Sequence, residues 1–287
     1  MTKINELKTD ALVTWCPGCG NFAILTSLQK ILIELEEEQV VNFNNVVMAS
    51  GIGCHAKIVD YMNVNSFHSI HGRVPPTISG IKLANPELTV IGHAGDGDAY
   101  GEGLAHLIFA AKRNININLI VHNNRVYGLT TGQFSPTSPA GFEGPSTPQG
   151  SPEDPLNPIE LMLCAGATFV ARGFSTNVKH LRVLLKAAVK HNGFSFIDVL
   201  QPCVSFFDNG DYYREHTYEL ADEKHDLSNL PAAMERAGEW SYGQGNRIPI
   251  GIFYQVRKPS FEERLLGSKI IVKTKPKDIG PVLAKQI

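Results

Sequence analysis

Four of the five cysteines lie where they could share a metal site. Cys16 and Cys19 form a C-x-x-C pair within Trp-Cys-Pro-Gly-Cys-Gly, a spacing at which two thiolates can bind one metal ion or two corners of an iron–sulfur cluster. The pair alone is ambiguous between a redox dithiol, half of a zinc site and half of an iron–sulfur site. Cys54 and Cys203 each follow a predicted strand. A four-thiolate site would therefore draw on three distant segments of the chain.

The fifth cysteine and the cysteine count fit the same interpretation. Cys164 lies in the apolar helical stretch Leu-Met-Leu-Cys-Ala-Gly-Ala, and we expect it to be a core residue. Five cysteines in 287 residues are too few for a disulfide scaffold, and an odd number excludes complete pairing within the chain. Because residues 1–20 lack the apolar core of a signal peptide, we expect a cytoplasmic, reducing location.

A second group of polar residues could bind Mg²⁺ and a diphosphate. Gly95-Asp96-Gly97-Asp98 follows a predicted strand and precedes a helix, and Asn123-Asn124 ends the next strand. A strand–helix–strand unit brings both turns to the same edge of a sheet. A carboxylate and a side-chain amide in a glycine-lined crevice are hard oxygen ligands of the kind that Mg²⁺ takes together with substrate phosphates.

The glycine–aspartate turn has two other interpretations. A dinucleotide fingerprint fits badly, because Gly95, Gly97 and Gly101 give G-x-G-x-x-x-G, one residue too long. Asp96 would also repel a pyrophosphate unless a metal lay between them. The alternative without a ligand is that Asp96 caps the helix and the asparagines form turns.

The elements that must position these residues alternate between strand and helix. Since buried strands separated by helices are typical of a parallel sheet covered on both faces, the sequence predicts an α/β fold with a mostly parallel sheet and helices on both faces. Ligands bind such sheets beyond the carboxyl ends of the strands, here residues 51–57, 95–100, 123–131 and 201–205. The predicted strands are 45–50, 88–94, 115–122, 167–173 and 194–200, and the predicted helices are 21–38, 101–114 and 177–191.

Composition sets the wider limits. Hydrophobic residues make up 43% and charged residues 19% of the chain, and the net charge is -2. This composition excludes a disordered chain and a nucleic-acid binder that acts through net positive charge, and no stretch is apolar enough to predict a membrane span. We assign residues 1–204 to one α/β domain and 205–287 to a C-terminal extension. Residues 132–158 carry seven of the 17 prolines and are expected to form a functional or interface loop.

The order of several short motifs identifies a family. Gly-Asp-Gly followed by Asn-Asn is the thiamine diphosphate motif, and the chain as a whole resembles the β subunits of the 2-oxoacid:ferredoxin oxidoreductases over roughly residues 12–210. The further segments that carry the resemblance are CPGCGN (16–21), SGIGC (50–54), HGR (71–73), GIKLANP (80–86) and YGLTTGQFSPTSP (127–139).

The resemblance implies a thiamine diphosphate-binding domain of the type that holds the diphosphate. It assigns Mg²⁺ to Asp96, Asn124 and the backbone carbonyl of Val126. It also assigns a [4Fe-4S] cluster to the four cysteines other than Cys164. Zinc is the alternative for that tetrad, but zinc has no redox chemistry and would leave the thiamine site without an electron acceptor.

The resemblance also assigns roles around these two centres. It implies that Lys57 lies near the substrate and that Asp98 supports the metal site. The remaining histidines, among them His55, His93, His106 and His122, show no metal-ligand spacing, and we expect them to be solvated or to be satisfied in the core. The residues expected to bind the cofactor are Gly53, His71, Gly72, Arg73, Gly95, Asp96, Gly97, Asp98, Asn124, Val126, Gly128, Leu129 and Thr130.

The activity implied by the resemblance is oxidative decarboxylation of a 2-oxo acid, with coenzyme A as co-substrate and ferredoxin as electron acceptor. Many relatives carry Lys or Gly where this chain has Thr131, and the form of the surrounding segment favours 2-oxoglutarate or a broad substrate range. We find one nucleotide-type unit, so we expect an α subunit to supply the pyrimidine-binding domain in an (αβ)2 assembly, with no nucleic-acid or membrane partner. The alternatives are a non-redox thiamine diphosphate decarboxylase or lyase subunit and an electron-transfer subunit with a vestigial thiamine site.

Overall fold

The computed structural model describes residues 3–243, 245–267, 269–275, 278 and 280–284. Within these ranges the strands are β1 (Val46–Ser50), β2 (Asn65–His68), β3 (Thr89–Gly95), β4 (Asn118–Asn123), β5 (Phe169–Phe174), β6 (Ser195–Leu200), β7 (Thr217–Glu219) and β8 (Ile248–Gln255). They form one sheet in the order β2-β1-β3-β4-β6-β5-β8-β7.

Helices connect most of these strands. The α-helices are α1 (Asn21–Glu37), α2 (Val74–Ala84), α3 (Leu104–Arg113), α4 (Pro158–Cys164), α5 (Val178–Lys190), α6 (Gly210–His216), α7 (Leu230–Gly238), α8 (Phe261–Leu266) and α9 (Gly280–Leu283). Short 3-10 helices cover Lys3–Asn5, Phe43–Asn45, Cys54–Tyr61, Leu220–Glu223 and Ile271–Lys273. None of the described helices is long and apolar enough to cross a membrane.

The predicted sheet is confirmed. β1 to β6 pair in parallel, and β8 is antiparallel to β5. Strands β3, β4, β5 and β6 are buried almost throughout, as expected for a parallel sheet that helices cover on both faces. The carboxyl ends of β1, β3, β4 and β6 therefore lie along one edge.

Two apolar cores lie on opposite faces of the sheet. On one face α1 and α5 pack together over Met48, Ile91, Ile120 and Ile197. On the other face α2, α3, α4 and α7 cover the alternate strand residues, such as Val90, Leu119 and Phe196. Because successive side chains of a strand point to opposite faces, a single run of apolar residues supplies both cores.

The predicted helix over 101–114 begins differently from the expectation. A π-helical segment, Gly97–Glu102, starts directly after Asp96, and the regular helix α3 begins only at Leu104. Single π-helical turns are rare in proteins overall, and those that occur are often found at functional sites. Here the wider turn carries Asp98 and Tyr100 into the interior, where both side chains are buried.

The C-terminal part of the chain shares the sheet with the rest. β8 pairs with β5, and β7 pairs with β8. A third apolar cluster joins Phe174 and Leu200 to Tyr213, Trp240 and Tyr242. The division between residues 204 and 205 stays a prediction, and residues on its two sides pack against each other.

The proline-rich loop also helps to build the site. The segment between β4 and α4 contains long irregular stretches, yet it buries Ser135, Thr137 and Ser138. Ser138 donates a hydrogen bond to the carbonyl of Arg125, and the Arg125 guanidinium donates to the carbonyl of Thr137. These reciprocal bonds hold the loop against the end of β4.

Candidate functional site

A cleft of about 260 Å³ lies at the carboxyl ends of β1, β3 and β4. The structure brings most of the sequence-predicted residues to this cleft. Six of them do not line it, namely Cys16, Cys19, Lys57, Gly72, Arg73 and Cys203. The predicted residues along its walls are Gly53, Cys54, His71, Gly95, Asp96, Gly97, Asp98, Asn124, Val126, Gly128, Leu129 and Thr130. The other wall residues were not individually predicted, although all of them except His122 lie in the predicted strand-end segments; they are Ile52, His55, His122, Tyr127 and Gln201.

Asp96 is a buried acid at the end of β3. Burial raises the pKa of its carboxyl group to about 6, and hydrogen bonds from Ser135 and Thr137 oppose this shift. The Thr137 hydroxyl lies 3.0 Å from Asp96 Oδ2 and 2.8 Å from Asn123 Oδ1. A carboxylate with so little solvent is costly when charged. A divalent cation in the cleft would offset that cost.

Asn124 and Val126 belong to a tight turn that follows β4. Arg125 has a left-handed backbone, with φ of 60°, and Asn124 Oδ1 accepts a hydrogen bond of 3.2 Å from the backbone nitrogen of Val126. Asn124 and Val126 both line the cleft with Asp96. The oxygen atoms available as metal ligands belong to a carboxylate, a side-chain amide and a backbone carbonyl, a set that suits Mg²⁺.

Asp98 is held in the cleft wall by residues of other segments. Its Oδ1 accepts a hydrogen bond from the backbone nitrogen of Gly72, and its Oδ2 lies 3.2 Å from His55 Nε2. His71 Nδ1 lies 3.5 Å from the same carboxylate. Gly51 is a close neighbour, since a Cβ there would lie 1.8 Å from Asp98 Oδ2. Asp98 therefore ties three segments of the cleft wall together.

Two glycines lie directly against residues of the site. A Cβ on Gly97 would lie 2.2 Å from the ring of Tyr127, whose hydroxyl donates to the Gly97 carbonyl. A Cβ on Gly128 would lie 3.4 Å from Asn124 Nδ2, 3.6 Å from Cys203 Sγ and 3.8 Å from Cys54 Sγ. Gly128 is therefore the point at which the candidate metal site and the cysteines adjoin.

The four predicted cysteines converge on this region. Cys16 and Cys19 lie in the turn before α1, where the Cys19 nitrogen donates to the Cys16 carbonyl at 3.0 Å. Burial raises the pKa of the Cys19 thiol to about 11, and the neighbouring Cys54, Cys203 and Cys16 add to the shift. These electrostatic contributions place the four thiols in one neighbourhood.

The thiols present a donor set that iron–sulfur clusters use. Cys54 begins the 3-10 helix after β1, and Cys203 follows β6. The pKa of the Cys54 thiol is raised by burial first and then by Cys203. Among the described residues, no three His, Cys, Asp or Glu side chains already stand in an arrangement that could hold a single metal ion.

Two predicted cationic side chains lie beside the cleft. Lys57 Nζ donates to Thr14 Oγ1 at 2.6 Å, and its charge acts to lower the pKa of the Cys54 thiol. Arg73 donates to the carbonyls of Gly72 and Glu102 at 3.2 and 3.4 Å. Their roles at substrate and diphosphate stay predictions.

The prediction that Cys164 is a core residue is wrong. Cys164 is exposed at the last position of α4, whereas Met162 and Leu163 of the same helix are buried. The helix is too short for its apolar run to be buried on all sides. An apolar neighbourhood in the sequence therefore gave no information on which face Cys164 occupies.

Three of the histidines are buried, as one of the two expectations from the sequence allowed, but the sequence did not indicate that they lie together. His93 Nδ1 lies 2.9 Å from His122 Nε2, and His122 Nδ1 lies 2.7 Å from Asn21 Oδ1. His55 is 5.8 Å from His122 between ring centroids, and both line the cleft. Burial lowers the pKa of His93 to about 3, so the imidazole is neutral. Only the parallel pairing of β3 and β4 could have revealed their proximity.

A buried acidic network beneath the cleft was also missed. Asp198 in β6 accepts hydrogen bonds from the hydroxyls of Tyr100 and Tyr242 and, at 3.0 Å, from Asn123 Nδ2. Burial raises the pKa of its carboxyl group despite these donors. The available signal was a charged residue in the middle of the apolar strand Ser-Phe-Ile-Asp-Val-Leu.

Comparisons with known proteins agree with this geometry. Residues 51–199 match the family of the thiamine pyrophosphate enzymes, C-terminal TPP binding domain, and residues 203–269 match the C-terminal region of the pyruvate ferredoxin oxidoreductase beta subunit. The chain is 43% identical to 2-oxoacid:ferredoxin oxidoreductase 1, subunit beta, of Aeropyrum pernix, over 91% of this chain and 84% of that protein. It is 44% identical to the 2-oxoglutarate oxidoreductase subunit KorB of Mycobacterium tuberculosis, over 72% of this chain and 54% of that protein.

A solved structure shows the same fold. The 2-oxoglutarate:ferredoxin oxidoreductase from Magnetococcus marinus, with 2-oxoglutarate, coenzyme A and succinyl-CoA bound, superposes with a TM-score of 0.87 at 32% identity. The match covers 99% of this chain and 96% of that one. The chain therefore belongs to the β subunits of the 2-oxoacid:ferredoxin oxidoreductases, and its residues 51–199 form their thiamine diphosphate-binding domain.

Proposed function

We propose that the chain is the catalytic β subunit of an enzyme that converts a 2-oxo acid, coenzyme A and oxidised ferredoxin into acyl-CoA, carbon dioxide and reduced ferredoxin. Joining the 2-oxo acid anion to the thiol of coenzyme A releases one carbon dioxide, one proton and two electrons. Two one-electron acceptors take up the electrons. The observation that carries the proposal is Gly128, which lies against Asn124 of the candidate metal site and against the thiols of Cys54 and Cys203.

Each centre has a defined set of residues. Asp96, Asn124 and the carbonyl of Val126 would hold Mg²⁺, and Cys16, Cys19, Cys54 and Cys203 would hold a [4Fe-4S] cluster. When bound, thiamine diphosphate supplies the electron sink for decarboxylation. The chain itself would position the diphosphate, because Gly95 and Gly97 let His55 and Tyr127 of the cleft wall pack directly against the backbone there. His71 lines the same wall, and its imidazole could donate a hydrogen bond to a phosphate oxygen.

The cation near the thiols has a proposed role at the substrate. Lys57 acts electrostatically on Cys54 and is held by the Thr14 hydroxyl. An ammonium group at this place can attract the carboxylate of a 2-oxo acid. The names of the relatives and the 2-oxoglutarate bound in the solved structure favour 2-oxoglutarate or a broad substrate range.

The family supports a set of proposed partners. The designation as β subunits supports an α subunit, which would supply the pyrimidine-binding domain in an (αβ)2 assembly. Ferredoxin would be the electron acceptor, and the cytoplasm would be the location. A non-redox thiamine diphosphate decarboxylase subunit is the alternative, and it would not need the four cysteines.

The test is anaerobic co-purification with the α subunit, followed by measurement of iron, acid-labile sulfide and thiamine diphosphate. Reduction of ferredoxin or methyl viologen is then measured against a panel of 2-oxo acids. We expect coenzyme A-dependent reduction by the complex and no turnover by the β chain alone. Release of carbon dioxide without iron, sulfide or acceptor reduction would instead support the non-redox alternative.

A further inference from the structure

Two polar side chains outside the cysteine set lie against the thiols. Gln201 Nε2 is 3.6 Å from Cys19 Sγ, and Ser205 Oγ is 3.4 Å from Cys16 Sγ. Both distances fall within hydrogen-bond range for sulfur, whose larger radius lengthens the contact. The two donors come from the segment that follows β6, on either side of Cys203. This segment therefore provides a ligand and donates hydrogen bonds to two others.

The Gln201 amide is fixed in orientation. Its Nε2 also donates to the carbonyl of Pro202 at 2.9 Å. A carbonyl oxygen can only accept, so the amino end of the amide faces this side, and its two hydrogens serve Pro202 and Cys19. The side chain is buried and also lines the cofactor cleft. Gln201 therefore contacts a candidate cluster ligand and also lines the cofactor cleft.

The turn before α1 is shaped to allow this approach. A Cβ on Gly20 would lie 2.8 Å from Gln201 Cγ and 2.5 Å from Ser175 Oγ. Gly18, between the two cysteines, has φ of 82°, which side chains disfavour. The C-x-x-C turn can therefore lie directly on Gln201.

We propose that Gln201 and Ser205 are positioning residues that set the reduction potential of the cluster by hydrogen bonding to its cysteine sulfurs. The inference rests on the proposed assignment of the cluster to the four cysteines. Each one-electron reduction adds negative charge to the cluster, and donors to the sulfurs stabilise that charge. Removal of a donor therefore makes reduction less favourable.

The two donors differ in their access to water. Gln201 is 2% exposed, whereas Ser205 is exposed. Water can replace the hydroxyl of Ser205 when that residue is truncated, but it cannot reach the place of the buried amide without rearrangement. Gln201 therefore carries most of the effect, and Ser205 carries a smaller part.

The experiment is a potentiometric titration of the purified αβ complex, followed by electron paramagnetic resonance of the reduced cluster. We expect Gln201→Leu to lower the equilibrium constant for reduction about tenfold, a shift of about 59 mV toward negative potential for one electron. Ser205→Ala should give less than half of that shift. The matched control is Gln255→Leu, because Gln255 pairs with Phe169 at the opposite edge of the sheet. Its potential should equal that of the wild type.

Iron and sulfide contents separate the outcomes. An unchanged potential in Gln201→Leu with full iron and sulfide would overturn the inference. If that variant does not assemble its cluster, the reduction potential of Gln201→Asn tests the inference instead. The shorter side chain cannot reach Cys19, while the site stays polar. Absence of iron and sulfide from the wild-type complex would contradict the proposed function itself.

Discussion

Replacement of Asp96 by Asn should stabilise the folded chain against unfolding in the absence of metal and abolish its binding of thiamine diphosphate. Burial raises the pKa of Asp96 from 3.8 to about 6. Because the folded state holds the proton more tightly than the unfolded state, stability falls as the pH rises through this window. At about 1.4 kcal/mol per pKa unit, the charged carboxylate costs up to about 3 kcal/mol at pH 7 in the protein without metal.

The assay is thermal unfolding of the αβ complex in EDTA, at fixed protein concentration and scan rate, at pH 7 and pH 4. Asp96→Asn removes the charge and retains an oxygen that can accept from Thr137. The variant should therefore unfold several degrees above the wild type at pH 7, and the difference should nearly vanish at pH 4. Asp211→Asn is the control, since Asp211 is exposed and forms a surface ion pair with Arg214.

Addition of Mg²⁺ and thiamine diphosphate should reverse the order of stability. The wild type gains the free energy of ligand binding, while the variant lacks the carboxylate that would hold the metal. Two results would refute this reasoning. One is a variant less stable than the wild type at pH 7 in EDTA, and the other is Mg²⁺-dependent thiamine diphosphate binding that survives the substitution.

Three further predictions concern the residues around the cleft. Gly97→Ala places a Cβ 2.2 Å from the Tyr127 ring. Titration calorimetry should therefore detect at least a tenfold loss of thiamine diphosphate affinity. An unchanged affinity would contradict the close packing of Gly97 against Tyr127. Tyr242→Phe removes one hydrogen-bond donor from the buried Asp198 and should lower the free energy of unfolding by about 1–3 kcal/mol in denaturant titrations. An unfolding midpoint equal to that of the wild type would contradict this prediction. Because burial lowers the pKa of His93 to about 3, stability should fall as the pH drops from 6.5 toward 3. In acid unfolding, His93→Gln should lose less stability than the wild type as the pH drops. An unchanged midpoint of acid unfolding would exclude His93 as the cause of the loss.

The residues at the strand ends were predictable because they follow from strand pairing alone. Parallel order places Asp96, Asn124, Cys54 and Cys203 at one edge, and the motifs name them. The pattern of apolar strands was enough to predict that edge. The structure confirms the resulting architecture, including helices on both faces.

The residues that the sequence did not indicate depend on contacts between distant segments. Asp198 is acceptable in a buried strand only because Tyr100 and Tyr242 donate to it from other parts of the chain. His122 contacts His93 through the register of two strands, and Gln201 contacts Cys19 through a turn that precedes α1. Such pairings require coordinates, since no local spacing encodes them.

The hydroxyl of Tyr242 has a consequence for how the chain can be divided. Tyr242 lies in the C-terminal part, yet it bonds Asp198, which also binds Asn123, the residue that shares the Thr137 hydroxyl with Asp96. A protein cut after residue 204 would keep every candidate ligand and leave a buried acid short of a donor. Gene truncations and fusions made at that boundary would therefore damage the cofactor cleft from below, without altering a residue that lines it.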